Sequence, residues 1–175
     1  STTPAPESRS AIIIPLKNGS NLNIYLGNNE QYKITSVILK DCDTSITTIG
    51  NNFLRDCEKI ESLDLTGLGQ IKTIGDQLMM DCESISELKI NFDKFINLET
   101  IGQFCLANCS SFKEIDFSAL INLTDIRASF LQGCNKLTDF WAPYKTTPPK
   151  ITLTGFYPKN IERIHCGNYL SYYKA

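Results

Sequence analysis

Four cysteines, Cys57, Cys82, Cys109 and Cys134, recur at spacings of 25, 27 and 25 residues, and each closes a copy of one phrase. The copies run Ile46-Thr-Thr-Ile49-Gly50-Asn-Asn-Phe53-Leu54-Arg-Asp-Cys57, Ile71-Lys-Thr-Ile74-Gly75-Asp-Gln-Leu78-Met79-Met-Asp-Cys82, Leu98-Glu-Thr-Ile101-Gly102-Gln-Phe-Cys105-Leu106-Ala-Asn-Cys109 and Leu123-Thr-Asp-Ile126-Arg127-Ala-Ser-Phe130-Leu131-Gln-Gly-Cys134. A period between about 20 and 50 residues marks a stacked solenoid, in which no unit buries its own apolar face without a neighbour. Three, six and eight positions after each cysteine come further apolar residues, as in Cys57, Ile60, Leu63 and Leu65 or Cys109, Phe112, Ile115 and Phe117. The last two of each set share the strand period of two and point to one side. Phe53, Leu54 and Cys57, at i, i+1 and i+4, fit one side of a single helical turn. Each repeat therefore reads as a short strand, a corner and one turn of helix. The longer spacing between the second and third copies is absorbed at Asn91 to Phe95, where an insertion can loop outward.

The Leu-x-x-Leu-x-Leu pattern at Ile60 to Leu65 and Ile85 to Ile90 resembles a leucine-rich repeat. The Ile-Gly-x-x-apolar-apolar-x-x-Cys phrase is more specific and resembles the BspA-like class of such repeats, found on bacterial and protozoan cell surfaces. The resemblance covers Ile34 to Ala142. It implies an α/β repeat solenoid: a right-handed superhelix of short parallel strands and single helical turns. It also implies a non-enzymatic surface that binds other macromolecules, although a fold does not by itself determine function. The position three residues past the strand, where the family carries Asn or Cys, holds Cys42 but then Leu68, Asp93 and Leu120, so a continuous asparagine ladder is not expected there.

With 175 residues and 42% hydrophobic content, the chain is long enough for one domain with a real core. A net charge of -2 advertises no nucleic-acid partner, and no apolar run is long enough to span a bilayer. Seven cysteines would suggest disulfides or a metal. Four of them, however, occupy one site in successive repeats and should form a column at about 4.8 Å per step. Such a column cannot converge on one tetrahedral zinc. Cys105 stands where other copies have Phe53, Leu78 and Phe130. All five read as small buried hydrophobes, although neighbouring members of the column fall within disulfide reach.

Taken in order, residues 1–10 are polar and proline-bearing and are expected to form a flexible tether; a secreted or surface-attached protein is expected, with a lipid anchor in residues upstream of Ser1 as one option. Residues 11–33 hold two strand-like runs about Asn18-Gly19, a strong hairpin signal, and form an N-terminal β-hairpin cap. The repeats occupy 34–143. Beyond them the period fades into proline, two short strands and a tyrosine-rich helix over Asn168 to Ala175, giving a C-terminal strand-helix cap over 144–175.

With Val37/Leu39, Leu63/Leu65, Leu88/Ile90, Ile115/Phe117 and Phe140/Ala142 inward, alternation leaves two outward columns on the concave face. One is Ser36, Ser62, Glu87, Glu114 and Asp139; the other is Ile38, Asp64, Lys89, Asp116 and Trp141. The expected protein-binding residues are Asp64, Glu87, Lys89, Glu114, Asp116, Asp139 and Trp141, an acidic stripe suited to a basic protein segment, with a solvated polar face as the plain alternative. Trp141 with Tyr144 admits a carbohydrate-binding role, or simple packing against the cap. A spacer that holds another domain away from the cell is a third reading. His165, the sole histidine, has no recognisable catalytic partner and reads as structural. No cofactor or metal is expected, the chain should not be an enzyme, and a monomer with an adhesion role is the reading carried forward.

Overall fold

A computed structural model describes residues 11–15, 21–22, 34–40, 44–64, 66–85, 92–143, 150–151 and 163–165. Its strands, numbered in chain order, are β1 (Ala11–Pro15), β2 (Asn21–Leu22), β3 (Ser36–Lys40), β4 (Thr48–Ile49), β5 (Ser62–Asp64), β6 (Thr73–Ile74), β7 (Thr100–Ile101), β8 (Glu114–Asp116), β9 (Asp125–Ile126), β10 (Asp139–Trp141), β11 (Lys150–Ile151) and β12 (Arg163–His165). Every pairing is parallel. The longer strands form two sheets, β1-β3-β5 and β8-β10-β12, and the two-residue strands form a third in the order β11-β9-β7-β6-β4-β2. Each coil described in full thus adds one strand to each of two walls, one of longer strands and the six-stranded one, as a solenoid coil should.

The register follows the repeat phrase. Ile49, Ile74, Ile101 and Ile126 lie opposite one another in sequence of coils, as do Val37 with Leu63 and Ile115 with Phe140. All of these are buried in one continuous core, joined from the corner by Phe53, Leu54, Leu78, Met79, Leu106, Phe130 and Leu131. A parallel sheet needs both faces covered or its outward face made polar. Here the strands are so short that each contributes one or two apolar residues inward.

The corner is not helical. Along residues 51–56 and their counterparts every second residue has a left-handed backbone: Asn52, Leu54 and Asp56, then Gln77, Met79 and Asp81, then Phe104, Leu106 and Asn108, then Ser129, Leu131 and Gly133. The flip of alternate peptides sends hydrogen bonds to both neighbouring coils. Gly75 N–H donates back to Ile49, Gln77 forward to Gln103, Met79 back to Phe53 and Asp81 forward to Ala107, at 2.7–2.9 Å. One isolated turn of helix would have satisfied few of these groups and is costly to nucleate. Leu54, Met79, Leu106 and Leu131 at φ of 51–62° carry real strain, about 1–3 kcal/mol each, which the inter-coil bonds and the burial of those side chains offset. The spacing i, i+1, i+4 matched the burial of Phe53, Leu54 and Cys57 but not the backbone that produces it.

Helical turns do occur on the other side of the coil, as 3-10 turns at Thr66–Leu68 and Phe92–Lys94. The second spans the extra residues of the long repeat. They do not simply loop outward: Phe92 and Phe95 are buried, and Phe92 meets Phe117 edge-on at 5.2 Å. The expected N-terminal hairpin is also absent, because β1 and β2 lie in different sheets and pair parallel with β3 and β4. At the other end β11 and β12 extend two sheets in the same parallel manner. The Asn18-Gly19 turn, residues 1–10 and the terminal helix at 168–175 lie outside the described residues.

Coils approach closely at the glycine column. A Cβ on Gly102 would sit 2.5 Å from the carbonyl carbon and oxygen of Gly75, and one on Gly75 would sit 2.9 Å from the Asn51 nitrogen. Next to these glycines, Asn51 Oδ1 accepts the Asp76 N–H at 2.8 Å and Asp76 Oδ1 accepts the Gln103 N–H at 2.9 Å, a polar ladder one coil per rung. A second column is Asp56, Asp81 and Asn108. Asn108 Nδ2 donates to Asp81 Oδ1 at 2.8 Å. Asp56, by contrast, faces Asp81 with another carboxyl, and burial together with that hydrogen bond lifts its pKa above the ordinary 3.8, against the pull of Arg55.

Two outcomes follow for stability. Gly102→Ala forces backbone against backbone and should cost about 3 kcal/mol in denaturant unfolding, whereas Gly69→Ala, whose nearest contact would be Lys94 O at 3.9 Å, should be nearly neutral. A raised Asp56 pKa means that this group's contribution is fully present below the ordinary Asp range and is lost as pH rises through the raised value. Asp56→Asn, which copies the Asn108–Asp81 pair, should therefore stabilise near neutrality by ~0.2–1 kcal/mol for so exposed a pair. That gain should vanish below about pH 4; equal gains at both pH values would contradict it.

Candidate binding surface

The outward strand positions fall where alternation places them. Ser36 stands opposite Ser62 and Ile38 opposite Asp64 in one sheet, and Glu114 opposite Asp139 and Asp116 opposite Trp141 in the other. Ser62 and Ser36 hydroxyls are bonded at 2.9 Å. Asp64, Glu114 and Asp116 are exposed. Asp116 is oriented by its own loop, its Oδ1 accepting the Ser118 N–H at 2.8 Å. Glu87, Lys89 and Tyr144 lie outside the described residues, so the structure unites Glu114, Asp116, Asp139 and Trp141 on the β8-β10-β12 sheet and places Asp64 on the other.

Asp139 departs from its expected role. It is 7% exposed, the one buried charged residue among those described, and is not a surface ligand. β10 is the central strand of its sheet, and the flanking strand β12 brings His165 across it: His165 Nε2 lies 2.8 Å from Asp139 Oδ1, while Thr138 Oγ1 bonds Oδ2 at 2.9 Å. The imidazole also stacks on Trp141, ring centroids 4.3 Å apart and planes 9° from parallel. His165 thus has in Asp139 an orienting partner that the sequence did not point to, and it shapes the site directly. Its place was readable in principle. Ile164 continues the series Ile115 and Phe140 at nearly the same step, which sets His165 beside Trp141.

Parallel strands on two walls, stacked about a single apolar core with an acidic and aromatic outward face, define a leucine-rich-repeat solenoid. The family model for the BspA type leucine rich repeat region matches residues 28–162 in six copies, and the chain belongs to that family. No curated protein and no solved structure matches the chain. No helix among the described residues is long and apolar enough to cross a membrane.

The cysteine column does structural work. Cys57, Cys82, Cys105, Cys109 and Cys134 are buried free thiols. Cys82 Sγ donates to Leu54 O, Cys109 to Met79 O and Cys134 to Leu106 O, at 3.0–3.1 Å, so each thiol caps a corner carbonyl of the preceding coil. Cys105 reaches Gly75 O at 3.1 Å in the same way. Burial pushes the Cys105 and Cys134 thiols up to about 12, and Cys82 and Cys109 well above the usual range. Such groups stay protonated near neutrality, and the thiolate is the reactive form. Maleimide labelling of the native protein, read by peptide mass spectrometry, should leave these five unmodified and label them all in strong denaturant; rapid native labelling of Cys82 or Cys109 would contradict the burial. Cys82→Ala strips Leu54 O of its donor and should cost about 1–3 kcal/mol.

Proposed function

We propose that the chain is a non-enzymatic module of a secreted or cell-surface protein, binding a protein partner that presents a basic segment to the outward face of its strand wall. The observation that carries this reading is the in-register set on the β8-β10-β12 sheet: two exposed carboxylates, Glu114 and Asp116, beside a half-buried tryptophan. Carboxylates beside an aromatic suit a protein-recognition patch, the aromatic for contact area and the acids for steering. Membership of a leucine-rich-repeat family supports the same reading. Residues 11–33 and 144–175 then close the two ends of the array, residues 1–10 act as a tether, and adhesion at the cell surface is the biological role.

Charge reversal tests it. Glu114→Lys with Asp116→Lys should weaken capture from a panel of extracellular-matrix and surface proteins, and binding of a polylysine peptide, by about tenfold, equivalent to ~1.4 kcal/mol. The residual binding should lose its dependence on salt, with the circular dichroism spectrum unchanged. Unaltered binding to every partner on the panel and to polylysine would overturn the reading.

A further inference from the structure

We infer that the face of Trp141 turned away from His165 seats an arginine side chain of the partner, with Asp116 as its counter-ion. The inference rests on the protein-binding reading above and names its anchor. A stack with rings 4.3 Å apart and 9° from parallel spans one strand step, since adjacent strands are about 4.8 Å apart. Both rings therefore stand up from the sheet with their planes facing along the row of strands. One face of the indole is taken by the imidazole on β12; the other looks toward β8, where the residue in register is Asp116.

Asp116 is suited to its place. Its side chain is short and exposed in register with the half-buried indole, and its Oδ1 bond to Ser118 N–H holds the carboxylate while Oδ2 can still accept. Glu114, two residues back on the same strand and about 7 Å away, is exposed and adds a second negative charge. A flat cation laid on the indole, within about 6 Å of its centre, would lie over Asp116. Guanidinium fits better than ammonium, because it is planar, stacks, and offers a fork of N–H donors to a carboxylate.

The seat is also built in advance. His165 does not touch the incoming cation; it is a positioning residue that fixes the plane of Trp141. Its own plane is fixed by buried Asp139, which Thr138 holds in turn.

Trp141 is the single tryptophan of the chain, so its fluorescence reports the seat alone. Titrating the full chain with a tri-arginine amide should give a saturable change in emission, absent with the neutral tri-citrulline amide and weaker with tri-lysine amide. Asp116→Asn, which can keep the Ser118 bond, should weaken the arginine titration by about tenfold. His165→Ala should shift the free protein's emission to the red and weaken arginine binding, and His165→Phe, which restores a flat neighbour, should recover both. A flat response to arginine, an equal response to citrulline, or a response to neutral oligosaccharides that arginine does not displace would overturn the seat. If arginine is silent while Glu114→Lys with Asp116→Lys still abolishes capture, the anchor is wrong and the acidic face stands; if the charge reversals too are without effect, both fall.

Discussion

Hydrogen bonding between coils, not within them, is what this structure depends on. Two walls of parallel strands supply part of that ladder, but strands of two to five residues leave most of each coil outside them. The corners complete it. By alternating right- and left-handed backbone, each corner turns one peptide toward the coil behind and the next toward the coil ahead, so that groups which a lone turn would leave unpaired are matched on both sides. Strain at leucine and methionine positions is tolerated because those residues are at the same time core residues, held from moving by the packing they create.

Close approach of coils sets the composition of the rest. Glycine is needed at positions 75 and 102 for room, not for an unusual φ, since a Cβ there would meet the backbone of the coil behind. Cysteine recurs at the end of the phrase because it is small enough for the same tight stack and still carries a weak donor for the carbonyl below it. Where the pattern is broken, packing suffers. Cys105 replaces the Phe or Leu of the other copies, and beside it lies a cavity of about 10 Å³ lined by Ile74, Leu78, Phe92, Leu106, Phe117 and Phe130 among others. A void of that size is at the lower limit for one water, ~10–15 Å³, and its apolar lining offers a water little to bond.

Much of this was legible in the residues. The repeat, its inward positions, the stacked cysteines and the pairing of Glu114 with Asp139 and Asp116 with Trp141 all follow from a period of about 25 residues combined with strand alternation. Three things were not. Two-residue strands such as Thr73–Ile74 are too short to show alternation, so the six-stranded wall reads as a corner. Left-handed φ at Leu54 or Met79 has no signal in residue type, because those side chains ordinarily avoid it; Asp56, Asp81, Asn108 and Gly133, which accept it readily, were the available hint. Asn18-Gly19 suggested a hairpin by local turn chemistry, but the strands on either side of it fit the two repeat walls, and long-range pairing overrode the local preference.

The same long-range pairing ties the proposed binding face to the strand that orients its tryptophan. Trp141 is oriented by a residue of β12, a strand that joins the sheet through β10 alone among the described strands. Among the described strands it is paired on one side only, and a strand so paired opens at lower free energy than one paired on both. Opening β12 would strip the imidazole from Trp141 and from Asp139 Oδ1, removing the flat backing of the aromatic. A partner that needs Trp141 held flat would consequently stabilise β12 by binding, so that the proposed face and this strand's pairing would be linked in both directions.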